Sequence, residues 1–348
     1  MNISIQQCLP LLGLALAGMA WGQSSVTLYG VFDVAVRHDT NADGNGHSRT
    51  SLSPGATGSS RLGFKGTEDL GDGLKANFKL ENGFNADTGN VADSARFFNR
   101  EAWVGLSGSY GELRLGRQYT VMFEHYNNYD PMYGISNVAE SVPFLAYSAG
   151  TDPVHIDNSV RYGKDWGPVS FALIAAPGEV SGASSKGVYT GATLKYAAGP
   201  NGISGYFEQR DPNTATTSGE PKKRVWGVGG SYMLGPVILY ANYQRHNALF
   251  AIPGEVKGKL YSLGAVYPVG QWTFLAAFYR DEQKDGAGSA GKRNTLALSA
   301  YYNLSKRTAV YAYVDSTRWK DGYVELLADD YGSKARRANM MLGMRHNF

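Results

Sequence analysis

The sequence predicts an all-β fold, a transmembrane antiparallel β-barrel of sixteen strands. Three observations carry that prediction. Apolar and polar residues alternate with a period of two in segments from one end of the chain to the other. The polar face of those segments holds charges that a packed core does not tolerate. The connections alternate short and long, which puts every tight turn at one end of the barrel and every long loop at the other.

The first 22 residues read differently. An apolar stretch from Cys8 to Trp21 is too short to span a bilayer, and Ala20 and Gly22 supply small residues where signal peptidase reads. This is the pattern of a secretory signal peptide cut after Gly22, although its start lacks Lys and Arg. Residues 23–348 then form a single barrel domain of 326 residues (348 minus 22). Cys8 is the only cysteine, so the mature chain enters an oxidising compartment without a thiol or a disulfide. A net charge of +3 is nearly balanced and does not point to nucleic acid. No apolar run after residue 22 reaches the ~18 residues of a membrane helix, but alternating lipid-facing strands escape that test.

The first strand, "VTLYGVFDVAVRH", sets Leu28, Phe32, Val34 and Val36 against Thr27, Tyr29, Asp33 and Arg37. "RLGFKG" sets Leu62 and Phe64 against Arg61 and Lys65. "LKANFKLENGF" sets Leu74, Ala76, Phe78 and Leu80 against Lys75, Asn77, Lys79 and Glu81. The alternation returns in "ELRLGRQY", "VILYANYQRH", "TFLAAFYRD", "LALSAYYNL" and "AVYAYVDSTRW". It ends in "MLGMRHNF", with Phe348, Met344, Leu342 and Met340 on one face and His346 as the exception.

Seven connections are short: 69–73, 107–110, 166–168, 198–202, 234–236, 268–270 and 304–307. Eight are long: 40–57, 88–95, 121–157, 176–187, 211–223, 247–257, 285–292 and 320–336. Fifteen connections make sixteen strands, and the even count returns both termini to the tight-turn end. A soluble barrel would be apolar inside; here the apolar face points out and the charged face lines water. The barrel must close, because lipid offers an open edge no hydrogen-bond partners.

Four stretches carry a family resemblance: "SSVTLYGVFDVAV", "SRLGFKGTEDLGDGLKANFKLE", "REAWVGLSGSYGELRLGRQYT" and the ending "GMRHNF". Together they resemble the general diffusion porins of Gram-negative outer membranes, those of the β-proteobacteria above all. The resemblance runs over the whole mature chain. It implies a homotrimer of sixteen-stranded barrels in the outer membrane, in contact with lipid and lipopolysaccharide, each passing ions and small hydrophilic solutes. It implies that the third long loop folds inward as a constriction loop. It also implies that Phe348, with its carboxylate, is the signal read by the outer-membrane assembly machinery.

Loop 121–157 is the longest connection, and long loops in compact folds are usually functional. Its "YDPMYG" resembles the family's Pro-x-aromatic-Gly stretch, but Met132 stands where the family often has an acid. The candidate constriction acids are therefore Glu124, Asp130 and Glu140. Parity turns Arg37, Arg61, Lys65, Lys75 and Lys79 to the lumen as an opposing basic wall. Arg100 shares parity with outward Ala102, Val104 and Leu106, yet the resemblance places a basic-cluster arginine there, so a lumen orientation is expected. Cations facing carboxylates set up a transverse field that orients polar solutes. Six basic candidates against three acids predict a mild anion preference.

Arg117 shares parity with Leu113 and Leu115, the outer face. A cation in lipid near mid-depth costs ~2–4 kcal/mol. Two readings stand: a subunit-interface pairing with Asp87 or Asp93 beside loop 88–95, or snorkelling to the headgroups.

"DTNADG" at 39–44 resembles the start of a calcium loop, but Thr50 sits at the twelfth position in place of Glu, and Asp-Gly also marks turns. "GVGGSY" at 227–232 precedes no crossover helix, and the six histidines show no metal-ligand spacing. The expected protein is not an enzyme and takes no cofactor. The alternatives are a substrate-specific channel, with Tyr126, Tyr129, Tyr133 and Phe144 as an aromatic track, and an adhesin or receptor barrel acting through loops 40–57 and 320–336.

Overall fold

The computed structural model describes residues 25–43, 45–56, 58–132, 154–247, 256–285, 290–321 and 335–348. The expected signal peptide (residues 1–22), Tyr133, Glu140 and Phe144 lie outside the described residues. The strands are β1 (Ser25–Asp39), β2 (Arg49–Pro54), β3 (Arg61–Gly71), β4 (Leu74–Gly83), β5 (Glu101–Gly108) and β6 (Gly111–Tyr119). A helix, α1 (Val121–Tyr129), precedes β7 (His155–Trp166), β8 (Val169–Ala176), β9 (Tyr189–Ala198), β10 (Asn201–Arg210) and β11 (Lys223–Leu234). Then follow β12 (Val237–His246), β13 (Val256–Val269), β14 (Trp272–Asp285), β15 (Ala290–Asn303), β16 (Thr308–Lys320) and β17 (Arg336–Asn347).

Apart from β2 and β3, which both pair with β1, each segment pairs antiparallel with its neighbours in the chain, and β17 closes the sheet onto β1. The seventeen segments make sixteen staves. The lower half of β1 pairs with β3 (Val31 opposite Arg61) and the upper half with β2 (Val34 opposite Pro54), so β2 and β3 are one stave interrupted at residues 55–60. Asp33 fills the gap: its amide donates to Ser60 Oγ at 2.9 Å, and its Oδ1 accepts from the Tyr311 hydroxyl at 2.8 Å.

The faces follow the alternation. Leu28, Phe32, Val36 and Leu342 point out, Leu342 with 69 % of its surface exposed, while Tyr29, Asp33 and Arg37 point in. At the closure, Gly30 and Phe348 exchange both backbone hydrogen bonds, at 3.0 and 3.1 Å. Gly30 must lack a Cβ, because one would lie 2.2 Å from Phe348 Cζ. The turn between β3 and β4 uses Asp72 and Gly73 at φ of 51° and 77°, both positive, the two-residue hairpin that suits twisted strands.

Three details differ from the sequence reading. The connection expected at 40–57 holds β2, because the strand resumes after the Asp- and Gly-rich turn. The connection expected at 88–95 spans residues 84–100, tied down by Asn99, whose side chain bonds both Gly83 N (2.7 Å) and Gly83 O (2.9 Å). The longest loop begins with α1.

Thr120 caps α1, its Oγ1 accepting from Phe123 N at 3.2 Å, and Glu124 in the first turn suits the helix dipole. The helix lies inside the barrel, packed on the lumen faces of β9–β12. Its buried Met122 and Tyr126 join Tyr189 and Tyr206 of the wall in the one large apolar cluster among the described residues.

Candidate functional site: the lumen and its charges

Glu81 on β4 is the centre of one wall. It is 2 % exposed and fully engaged. Arg100 Nε donates to Glu81 Oε1 and the Tyr29 hydroxyl donates to Oε2, both at 2.7 Å. Lys79 and Arg61 approach at 3.5 and 3.8 Å. Lys79 also pairs with Glu101 of β5, and Arg100 donates to the Tyr119 hydroxyl at 2.7 Å. Lys65 lies over the Tyr29 ring, 5.4 Å from its centroid. Arg61, Lys65, Lys79 and Arg100 against Glu81 and Glu101 leave this wall with a net +2 (4 minus 2).

Arg100 joins this cluster against the parity of β5. The residue lies in the loop before the strand, so the strand's alternation does not set its direction. Two other basic residues stand apart from the cluster. Arg37 bonds Asp39 (2.9 Å) higher on β1, six residues above the Val31–Arg61 pair. Lys75 sits opposite Ser107 and Asp69 near the tight turns.

Of the loop acids, the two among the described residues, Glu124 and Asp130, are both engaged. Glu124 pairs with Arg161 of β7 at 3.0 Å. Asp130 is buried at the end of α1, where it accepts from the Tyr279 hydroxyl (2.7 Å) and Met132 N (2.9 Å). Burial pushes its carboxyl up to about 7. Asp130 is thus an anchor of α1. His125 is a second anchor, its two ring nitrogens meeting Ser204 Oγ at 2.7 Å and Asn242 Oδ1 at 3.0 Å. Burial lowers this imidazole to about 4.

Beneath α1 a cavity of about 530 Å³ is lined by Arg114, Arg161, Lys164 and Lys195 against Glu112, Glu124 and Asp165. The candidate basic wall omitted these cations. Their signal was the same alternation: Arg114 sits between outward Leu113 and Leu115, and Arg161 follows outward Val160.

Arg117 has a carboxylate within its own chain, Asp157. It donates to Asp157 Oδ1 of the same chain at 2.6 Å and to the Asn99 carbonyl at 2.8 Å. A bulge between Gly116 and Gln118 in the β6–β7 pairing makes that reach possible. In loop 40–48, Asp43 accepts from Asn45 N and His47 N at 2.9 Å and pairs with the His47 ring at 2.7 Å.

A closed barrel, apolar outside and charged inside, defines a water-filled membrane channel. The family model described as Gram-negative porin matches residues 11–322. An outer membrane porin protein of Delftia acidovorans is 32 % identical over 96 % of this chain and 97 % of its own length. One of Bordetella pertussis is 28 % identical over 95 % and 96 %. The anion-selective porin from Comamonas acidovorans superposes with a TM-score of 0.79 at 30 % identity, over 94 % of this chain and all of that one. OmpT of Vibrio cholerae, in its trimer form, shares the fold with a TM-score of 0.66 at 16 % identity, over 93 % and 99 %. The chain belongs to the Gram-negative porin family and is a channel of the outer membrane.

Proposed function

We propose that this porin passes ions and small hydrophilic solutes passively, with a mild preference for anions, as a homotrimer. The observation that carries the reading is the net positive wall around Glu81. Arg61, Lys65, Lys79 and Arg100 act together there, with Arg37 above and Lys75 below along the solute path. Glu124 contributes the opposing charge from α1, Asp130 holds the helix in place, and Glu140 adds a further acid from the same loop. The anion selectivity of the Comamonas acidovorans porin and the trimer form of OmpT support the same reading. Residues 1–22 direct export and are removed. The assembly machinery reads Phe348, and lipid with lipopolysaccharide surrounds the barrel.

Liposome swelling with neutral sugars of increasing size tests the channel, and conductance steps test the trimer. Swelling that falls smoothly with sugar size, with conductance rising in threes, is the expected result. Swelling confined to one sugar regardless of size would instead make the pore substrate-specific.

A further inference from the structure

We propose that Asp165, Ser170 and Lys195, side by side on the lumen wall at the tight-turn mouth, bind a small dipolar solute. That solute carries one ammonium and one carboxylate, as an α-amino acid does. The proposal rests on the channel reading above and adds a site to it.

Register puts the three residues in one row. Asp165 of β7 lies directly opposite Ser170 of β8, and Ser170 directly opposite Lys195 of β9. Residues opposite each other in an antiparallel pair share a face of the sheet. That face is the lumen. Arg161, on the parity of Asp165, reaches Glu124 of the inward helix α1. Ala172 and Ile174, on the parity of Ser170, are buried, whereas Leu173 between them points out. All three residues of the row line the cavity beneath α1. Asp165 is one residue from the end of β7, so the row lies at the mouth away from the long loops.

The other charges around this cavity are already matched. Arg114 donates to Glu112 of its own strand, and Arg161 to Glu124 at 3.0 Å. Lys164 borders the cavity, but its Nζ lies 5.5 Å from the ring centroid of Trp166, an outward residue. Among the described residues, Asp165 and Lys195 pair neither with each other nor with any other charge. One charge of each sign is left over, with a hydroxyl between them.

That remainder defines the ligand. Neighbouring strands are ~4.8 Å apart, so the backbones of Asp165 and Lys195 stand ~10 Å apart with Ser170 midway. An ammonium and a carboxylate on one small solute reach both. The ammonium donates to Asp165, and the carboxylate accepts from Lys195 and from the Ser170 hydroxyl. A simple anion at Lys195 is repelled by Asp165, and a simple cation at Asp165 is repelled by Lys195. The row therefore favours the solute that carries both charges. The Glu81 wall, with its net positive charge, sorts solutes by sign; this row sorts them by dipole. Asp165 is exposed and Lys195 half-buried, so the contacts are wet and the solute can leave, as conduction requires.

The test measures influx of labelled L-serine and of labelled erythritol, a neutral polyol of similar size, into proteoliposomes. In the parent, serine influx should saturate with concentration. At low concentration it should exceed erythritol influx about fivefold, the scale of two exposed ion pairs. Asp165→Asn and Lys195→Gln should each bring serine down to the erythritol rate. The exchanged protein, Asp165→Lys with Lys195→Asp, should regain the advantage, because a dipolar solute binds in either direction. Erythritol influx reads the open channel in every variant, so failure here is separate from failure of the channel reading. Serine influx that is equal in the parent and both single variants would overturn the proposal. So would loss in the single variants without recovery in the exchanged protein. Competition by lactate as strong as that by unlabelled serine would also overturn it, by making the row an anion site.

Discussion

Asp130→Asn should make the docking of α1 on the barrel wall sensitive to acid, although the parent stays docked from pH 7 to pH 4. The reason is that two buried groups offset each other. In the docked helix His125 titrates at about 4 and Asp130 at about 7. In water their ordinary values are about 6.5 and 3.9. Between pH 4 and 6.5 the docked state therefore holds its proton on Asp130 and the undocked state holds one on His125. The proton counts match, so docking in that window does not depend on pH.

Replacing Asp130 by Asn leaves only the histidine linkage. A base lowered on docking takes up its proton in the undocked state, so docking weakens as pH falls from 6.5 through 4. At ~1.4 kcal/mol per unit over about 2.5 units, the loss is roughly 3 kcal/mol. Asn keeps an oxygen to accept from Tyr279 and from Met132 N, which limits other damage. His125→Gln should do the reverse: an acid raised on docking stabilises the docked helix as pH falls from 7 toward 3.9. Amide hydrogen exchange over residues 121–130, corrected for intrinsic rates, reads the outcome between pH 7.5 and 4. The reasoning is refuted if the Asp130→Asn protein is as well protected at pH 4.5 as at 7.5, or if the parent itself loses protection.

Arg100→Ala removes a cation from the Glu81 wall. A unit charge about 5 Å from a passing ion is worth ~1 kcal/mol in water, so reversal potentials should shift several-fold in permeability ratio toward cations. Gly264→Ala places a Cβ 2.4 Å from Pro131 Cγ, so the loop should lift from β13 and conductance noise should rise; a quiet channel would show that the loop does not rest there. Arg117→Ala strips the Asn99 carbonyl and Asp157 of their buried donor and should lower barrel stability by about 1–3 kcal/mol. Thermal unfolding followed by circular dichroism should give Asp157→Asn a similar loss, and the double variant less than the sum.

What the sequence made legible is what period two controls. Leu28 against Tyr29, or Leu80 against Glu81, declares its side of the wall because a strand has only two faces. The closing strand and its outward Phe348 follow from the same rule. The helix α1 did not show, because the buried side of "VMFEHYNNY" mixes Met122 and Tyr126 with the polar His125, so its apolar stripe is weak in sequence. Its anchors were hidden for the same reason: Asp130 and His125 meet Tyr279 and Asn242, more than a hundred residues further along the chain. The Asp157 contact of Arg117 was not legible, because a bulge breaks the parity that would have located Asp157.

Excess positive charge on the pore wall should select anions. The most direct measurement is the zero-current potential of the purified, refolded protein in a planar bilayer under a potassium chloride gradient. A potential of the sign set by chloride permeating faster than potassium is the predicted result, and it should shrink as salt rises and screening grows. A potential set by potassium would contradict the account and transfer control of the pore to the carboxylates.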